Sequence, residues 1–127
     1  MASEKKTVSV LFNQQDGDEY MYLRAIDPSS LDFIPEYPIH IATAQEEYDA
    51  IVNALRAEGF QACGINLEDD LLKLQQLVTQ DPPDVVFNLV ESFHNDMNQE
   101  SSVACFFDLF RVPYTGSSPF CLSLCRR

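Results

Sequence analysis

The stretch Asp84-Val85-Val86-Phe87-Asn88-Leu89-Val90-Glu91 decides the fold, together with Val112-Pro113-Tyr114-Thr115-Gly116-Ser117-Ser118 one helix-length further on. Each reads as a buried strand that stops at polar residues. Val85, Val86, Phe87 and Leu89 put apolar side chains on both faces, as expected of a strand covered by helices on each side. In open α/β sheets ligands sit at the carboxyl edge of the strands, so the polar ends of both stretches mark where a site belongs.

Working outward, Thr7 to Asn13 is apolar and β-branched, ends at a polar cluster and reads as a first strand. Residues 14–40 break the pattern with Pro28, Pro35, Pro38 and Asp16-Gly17-Asp18, and read as one long loop. Loops of that length in compact domains are usually functional, and Tyr20, Tyr22, Phe33 and Tyr37 make this one too apolar for pure disorder. Thr43-Ala44-Gln45-Glu46 is a capping box, after which Tyr48, Ile51, Val52 and Leu55 recur at helical spacing until Gly59. Phe60 to Ile65 forms a second strand. Asn66 is placed to cap a helix with the stripe Leu71, Leu74, Leu77 and Val78, which Asp81-Pro82-Pro83 stops. A helix from about Gln99 to Phe110 buries Val103, Phe106, Phe107 and Phe110. Val112 to Tyr114 is a fourth strand, and Ser118-Pro119 caps a last helix. This alternation implies an α/β fold with a parallel, right-handed four-stranded sheet.

The 127 residues give room for a single domain, and a second, catalytic one does not fit. A formal charge of −12, from 20 acidic against 8 basic residues, repels phosphates and anionic headgroups, so neither nucleic acid nor membrane is an expected partner. No run approaches a membrane span and the start lacks a secretory apolar core, which reads as cytoplasmic. Cys63, Cys105, Cys121 and Cys125 read as small buried thiols rather than zinc ligands or disulfides, although Cys121 and Cys125 share a helix face. No Gly-x-Gly-x-x-Gly, Walker-type or Gly-x-Ser-x-Gly motif is present. With four glycines the chain offers no self-contained nucleotide loop.

Pro83 to Glu91, the acidic Glu100 opening the next helix, and Pro113-Tyr114-Thr115-Gly116-Ser117 entering another resemble the N-terminal domain of D-alanine–D-alanine ligase and related ATP-grasp enzymes. The resemblance runs from Thr7 to Cys125 and is sharpest over Asp84 to Pro119. It implies a three-layer Rossmann-like, pre-ATP-grasp domain that forms one wall of the acceptor-substrate site. In such ligases ATP and magnesium are held by later domains, an acyl phosphate forms on one carboxylate, and an amine attacks it. The implied partners are therefore a missing ATP-grasp domain and a small amino-acid or peptide-like substrate. This chain alone is expected to bind no cofactor and to be inactive. It carries Arg127 where the family has an acidic residue, and reads as an N-terminal domain excised or spliced from a longer protein. Two departures set it apart from the D-alanine ligases proper: Asn13-Gln14-Gln15-Asp16-Gly17 replaces a glycine-rich Ser-x-Glu turn, and Glu91-Ser92 replaces His-Gly. D-alanine therefore does not follow as the substrate.

The resemblance and the strand ends together nominate Asn88, Glu91, Glu100, Tyr114 and Ser117 as substrate-binding residues, with no catalytic or metal-ligating residue in this chain. Glu91 could hold a substrate ammonium, orient a magnesium-bound group or be a plain exposed loop glutamate; Asn88 could brace the loop or meet substrate; Glu100 also suits a helix N-terminus. Tyr114 could pack with its hydroxyl bonded to a loop, and Thr115-Gly116-Ser117 makes a tight turn. His94 and Asp96 lie in the Glu91 loop without a third partner. Two functions follow: the substrate-side domain of an ATP-dependent carboxylate–amine ligase, or a non-catalytic binding module using the acidic 14–40 loop. Self-association as a homo-oligomer is expected if part of the Phe106, Phe107, Phe110, Phe120, Leu122 cluster stays exposed.

Overall fold

The computed structural model of the protein describes residues 3–14, 27, 30 and 44–125. Strand β1 (Thr7–Phe12) is the centre of a parallel sheet of order β2-β1-β3, with β2 at Gln61–Asn66 and β3 at Val85–Asn88. Helices α1 (Ala44–Ala57), α2 (Leu71–Thr79), α3 (Glu100–Leu109) and α4 (Pro119–Cys125) fill the connections, and a 3₁₀ turn at Met97–Gln99 leads into α3. The fold is therefore α/β with an open parallel sheet. The long loop of residues 14–40, the Thr43 cap and Arg126-Arg127 lie outside the described residues, apart from Gln14, Asp27 and Ser30. Among the described residues no helix is long and apolar enough to cross a membrane.

Period-two alternation along β1 divides the core in two. Val8 and Val10 pack with Ala62 of β2 and Val52 of α1, joined by Ile51, Leu55 and Phe87. Leu11 turns to the other face, where Val86, Leu74 and Leu77 of α2, and Val103 and Phe107 of α3 surround it. Both faces of the central strand are thus covered, and Val8, Val10, Leu11 and Phe12 are all buried, with Ser9 the buried polar residue among them. The α1 connection leads from β1 to β2 on one side, and α2 carries the chain back past β1 to β3 on the other. The carboxyl ends of β1 and β3 are where the connections diverge, and such a divergence leaves a crevice.

Local chemistry explains the element ends. Helix α1 closes in a Schellman arrangement: the Phe60 N–H reaches the Leu55 carbonyl at 3.1 Å and the Gly59 N–H reaches Arg56 at 3.0 Å, with Gly59 at φ +95°. Asp70, rather than Asn66, caps α2, its side chain accepting the Leu72 N–H at 2.9 Å. Asn66 instead ends β2, and a turn carrying Glu68 and Asp69 at φ +52° and +55° separates it from the helix. Ser118 caps α4, its Oγ accepting the Cys121 N–H at 3.4 Å.

The sheet has three strands rather than four. Residues 112–115 run parallel beside β3 but form one bridge, Tyr114 to Val86. Pro113 accepts the Val86 N–H at 2.8 Å and Thr115 donates to the Val86 carbonyl at 2.9 Å. The ladder then ends, because Pro113 has no N–H to extend it one way. In the other direction the Thr115 hydroxyl takes the Asn88 N–H at 3.1 Å in place of a backbone carbonyl.

Two burial expectations are corrected. Cys63, Cys121 and Cys125 are exposed and Cys105 half-buried, all as free thiols. Cys63 lies on β2, at the edge of the described sheet, and Cys121 and Cys125 lie on α4, which has no buried residue. Of the phenylalanines, Phe107 is fully buried and Phe106 partly, whereas Phe110 stands past the end of α3 and Phe120 on α4, both exposed.

At the amino edge, Asp84 ties β3 to β1. Its Oδ2 accepts from the Thr7 N–H at 2.8 Å and the Thr7 hydroxyl at 3.1 Å, and its own N–H donates to that hydroxyl at 2.9 Å. The Thr7 backbone bond first, and then its hydroxyl, hold the Asp84 carboxyl below its usual 3.8. A depressed folded value means the contribution is complete above 3.8 and is lost as pH falls through the folded value. Stability of Asp84→Ala should therefore fall less than that of the wild type between about pH 5 and pH 2. Denaturant titration across that range checks this; superimposable acid limbs would contradict it.

Candidate functional site

A cleft of about 450 Å³ opens at the carboxyl edge of the sheet beside β3. Asn88 ends β3, and Leu89, Val90 and Glu91 follow it along one wall. Glu100, the first residue of α3, and Gly116 with Ser117, from the turn before α4, approach from the other side. Tyr48 and Ile51 of α1 and Leu122 of α4 supply apolar surface, and Glu47 adds a carboxylate. The two corners prominent in the sequence thus meet around one hollow. Gly116 has φ +98°, a backbone angle that favours glycine and lets the chain turn sharply from Thr115 towards α4.

Four of the five nominated residues line this cleft and one does not. The Glu91 side chain is exposed and makes no hydrogen bond or ion pair among the described residues. Asn88 braces the loop, its Oδ1 accepting the Val90 N–H at 3.2 Å. Glu100 occupies the first turn of α3, where a carboxylate offsets the unpaired amides. Ser117 is exposed at the cleft wall. Tyr114 stands away from the lining: its ring packs on Phe107 with centroids 5.3 Å apart, and its hydroxyl donates to Asp108 Oδ1 at 3.0 Å. Burial first, and then the Asp108 carboxylate, push the Tyr114 hydroxyl above its ordinary value of 10.0, so it remains a phenol.

Next to the cleft lies a polar knot that local sequence patterns do not announce. Asn13, the residue after β1, donates through Nδ2 to Asp69 Oδ1 at 2.7 Å and to the Ser92 carbonyl at 2.9 Å. Its Oδ1 accepts the Asp69 N–H at 2.8 Å, and Asp69 Oδ1 also takes the His94 N–H at 2.7 Å. These bonds join the end of β1 to the loops after β2 and β3. The Asn13 amide is the main cause that holds the Asp69 carboxyl below its usual value, opposed by burial and aided by His94. Asp69 Oδ2 is buried without a hydrogen-bond partner among the described residues. An unsatisfied buried acceptor of this kind costs about 1–3 kcal/mol. Asn13, Glu47 and Tyr48 are functional candidates missed by sequence reasoning; Asn13 stands at a strand's carboxyl end, which was the available signal.

Glu47, Glu91 and Glu100 make the cleft electronegative, and no lysine or arginine lines it among the described residues. It is suited to a small cationic or amine-bearing molecule whose apolar part rests on Ile51, Leu89 and Leu122. A larger hollow of about 660 Å³ opens at the opposite edge near Lys5, Arg56 and Asp81. Its Arg56 is occupied, Nε donating to the Ala62 carbonyl at 2.9 Å, and it lies away from the carboxyl ends. Among the described residues no three His, Cys, Asp or Glu side chains gather where they could hold a metal ion. The chain matches no protein-family model, no curated protein and no solved structure in the comparisons made.

Proposed function

We propose that this chain is a Rossmann-like, pre-ATP-grasp domain, the substrate-side part of an ATP-dependent carboxylate–amine ligase of the D-alanine–D-alanine ligase kind. One observation carries the reading: Asn88, Glu91, Glu100 and Ser117, nominated from the Phe-Asn-Leu-Val-Glu and Tyr-Thr-Gly-Ser motifs, line a single cleft at the carboxyl edge. In this role Glu91 holds the substrate ammonium as a charge-assisted hydrogen-bond acceptor. Asn88 keeps the Glu91 loop in place through Val90, and Thr115 ties the opposite corner to β3. The chain thereby orients an amine, while nucleotide and metal belong to a separate ATP-grasp module.

The test joins the chain to an ATP-grasp module and follows ADP release with amino acids and dipeptides. Turnover should depend on an amine-bearing substrate, and Glu91→Gln should lower kcat/KM by about 10- to 100-fold, the range of one charged hydrogen bond. Turnover indifferent to Glu91→Gln contradicts the reading.

A second reading, a non-catalytic binding module, is favoured by α4. The helix has no buried residue, and Phe120 and Leu124 are 76% and 56% exposed four residues apart on one face. Stable docking of an ATP-grasp module without turnover would select it.

A further inference from the structure

On the other side of the β3 loop from the cleft, a groove of about 470 Å³ runs between α2 and α3. Leu74, Phe93, Val103 and Phe106 give it apolar walls, and His94 stands at its mouth with a side chain 73% exposed. The imidazole is set edge-on to Phe93, centroids 4.9 Å apart. Its Nδ1 lies 3.9 Å from Asp69 Oδ2, the buried carboxylate oxygen that has no hydrogen-bond partner among the described residues.

Asp69 is built as a fixed acceptor. Its side chain is 8% exposed, and its Oδ1 is already held by Asn13 Nδ2 and the His94 N–H. The His94 backbone is fixed as well, because residues 93 and 96 exchange two backbone bonds, of 3.2 and 3.0 Å, around a turn with His94 and Asn95 at φ +51° and +59°. A ring rotation that closes 3.9 Å to hydrogen-bond length leaves the rest of this frame in place. It satisfies the one open acceptor and puts the neutral imidazole's proton on Nδ1. The other nitrogen, Nε2, then becomes a proton acceptor, since a neutral ring has one donor and one acceptor.

We propose that Asp69 is a positioning residue that fixes His94 as the Nδ1–H tautomer, making the α2–α3 groove a binding site for small apolar molecules that carry one acidic O–H. The apolar body lies on Leu74, Val103 and Phe106, and the hydroxyl donates to His94 Nε2. The proposal uses a different cavity from the cleft, so it stands or falls independently of the ligase reading.

Two-bond ¹H–¹⁵N correlation spectra of the full chain, taken at the alkaline end of a pH series where the ring signals no longer change, read the tautomer directly, with His94→Gln identifying the His94 signals. The wild type should show the Nδ1–H form, against the Nε2–H preference of free imidazole side chains, and Asp69→Asn should lose it. Added 4-methylphenol should shift His94 Nε2 and the Val103 methyls together, with binding about tenfold weaker in Asp69→Asn, one hydrogen bond's worth. If Asp69→Asn fails to fold, the wild-type tautomer and the 4-methylphenol titration still decide. An Nε2–H tautomer in the wild type, or 4-methylphenol that leaves Nε2 and Val103 unmoved, overturns the proposal.

Discussion

Phe107→Ala is expected to remove about 3–5 kcal/mol of folding stability, a large share of the roughly 5–15 kcal/mol that holds a domain of this size. Phe107 is fully buried on α3 and packs in one cluster with Leu11, Val86, Leu74 and Val112. Its ring also meets Tyr114, and its carbonyl accepts the Val112 N–H at 2.9 Å. Truncation leaves a cavity where sheet, α2, α3 and the 112–115 segment converge, and a close-packed interior refills such a space only in part. The cleft should suffer too, because Tyr114 precedes the Thr115–Ser117 corner. Equilibrium denaturation checks the magnitude, with Leu109→Ala, at a residue 76% exposed, expected to change stability by no more than about 0.5 kcal/mol. Equal effects from both would contradict the packing described.

Replacing Asn13 should have the next largest effect, and for a carboxylate at this position its size should depend on pH. Asn13→Ala removes three hydrogen bonds and takes from the buried Asp69 carboxylate its main stabilising donor. The expected loss is about 2–4 kcal/mol. Asn13→Asp is worse at neutral pH, because it brings a second carboxylate to where Nδ2 donates to Asp69 Oδ1 at 2.7 Å. Two carboxylates at that distance raise the folded-state value of one of them, so this variant regains stability as pH falls towards that value. The wild type moves oppositely, since its Asp69 value is depressed and that stabilisation is lost in acid. Denaturant titrations at neutral pH and near pH 5 should show the gap between Asn13→Asp and wild type narrowing; a gap independent of pH would contradict the knot.

The order of elements was legible because each apolar period is long or well punctuated. The Val8, Val10 and Leu11 alternation, the Tyr48 to Leu55 spacing and the Gly59 stop all carry their signal within a few residues. The fourth strand was not legible, since its length depends on which N–H groups face β3, and Pro113 and the Thr115 hydroxyl decide that. The start of α2 was displaced from Asn66 to Asp70 because Glu68 and Asp69 make the intervening turn at positive φ without the usual glycine. The cleft was legible from strand ends: Asn88, Glu91, Glu100 and Ser117 line it. The Asn13 knot was not, because its partners are 56 and 79 residues away. The exposed cysteines show the same limit, since burial at Cys121 depends on what packs against α4 rather than on residue type.

The 112–117 segment lies parallel to β3, and that direction is what lets both corners enclose one cleft. Nuclear Overhauser contacts in the full chain test this most directly. The Asn88 amide proton should show a cross-peak to the Thr115 side chain, and the Thr115 amide to Val86, as their bonds of 3.1 and 2.9 Å require. An antiparallel pattern of Hα–Hα contacts between the two segments, or the absence of both cross-peaks, would contradict it.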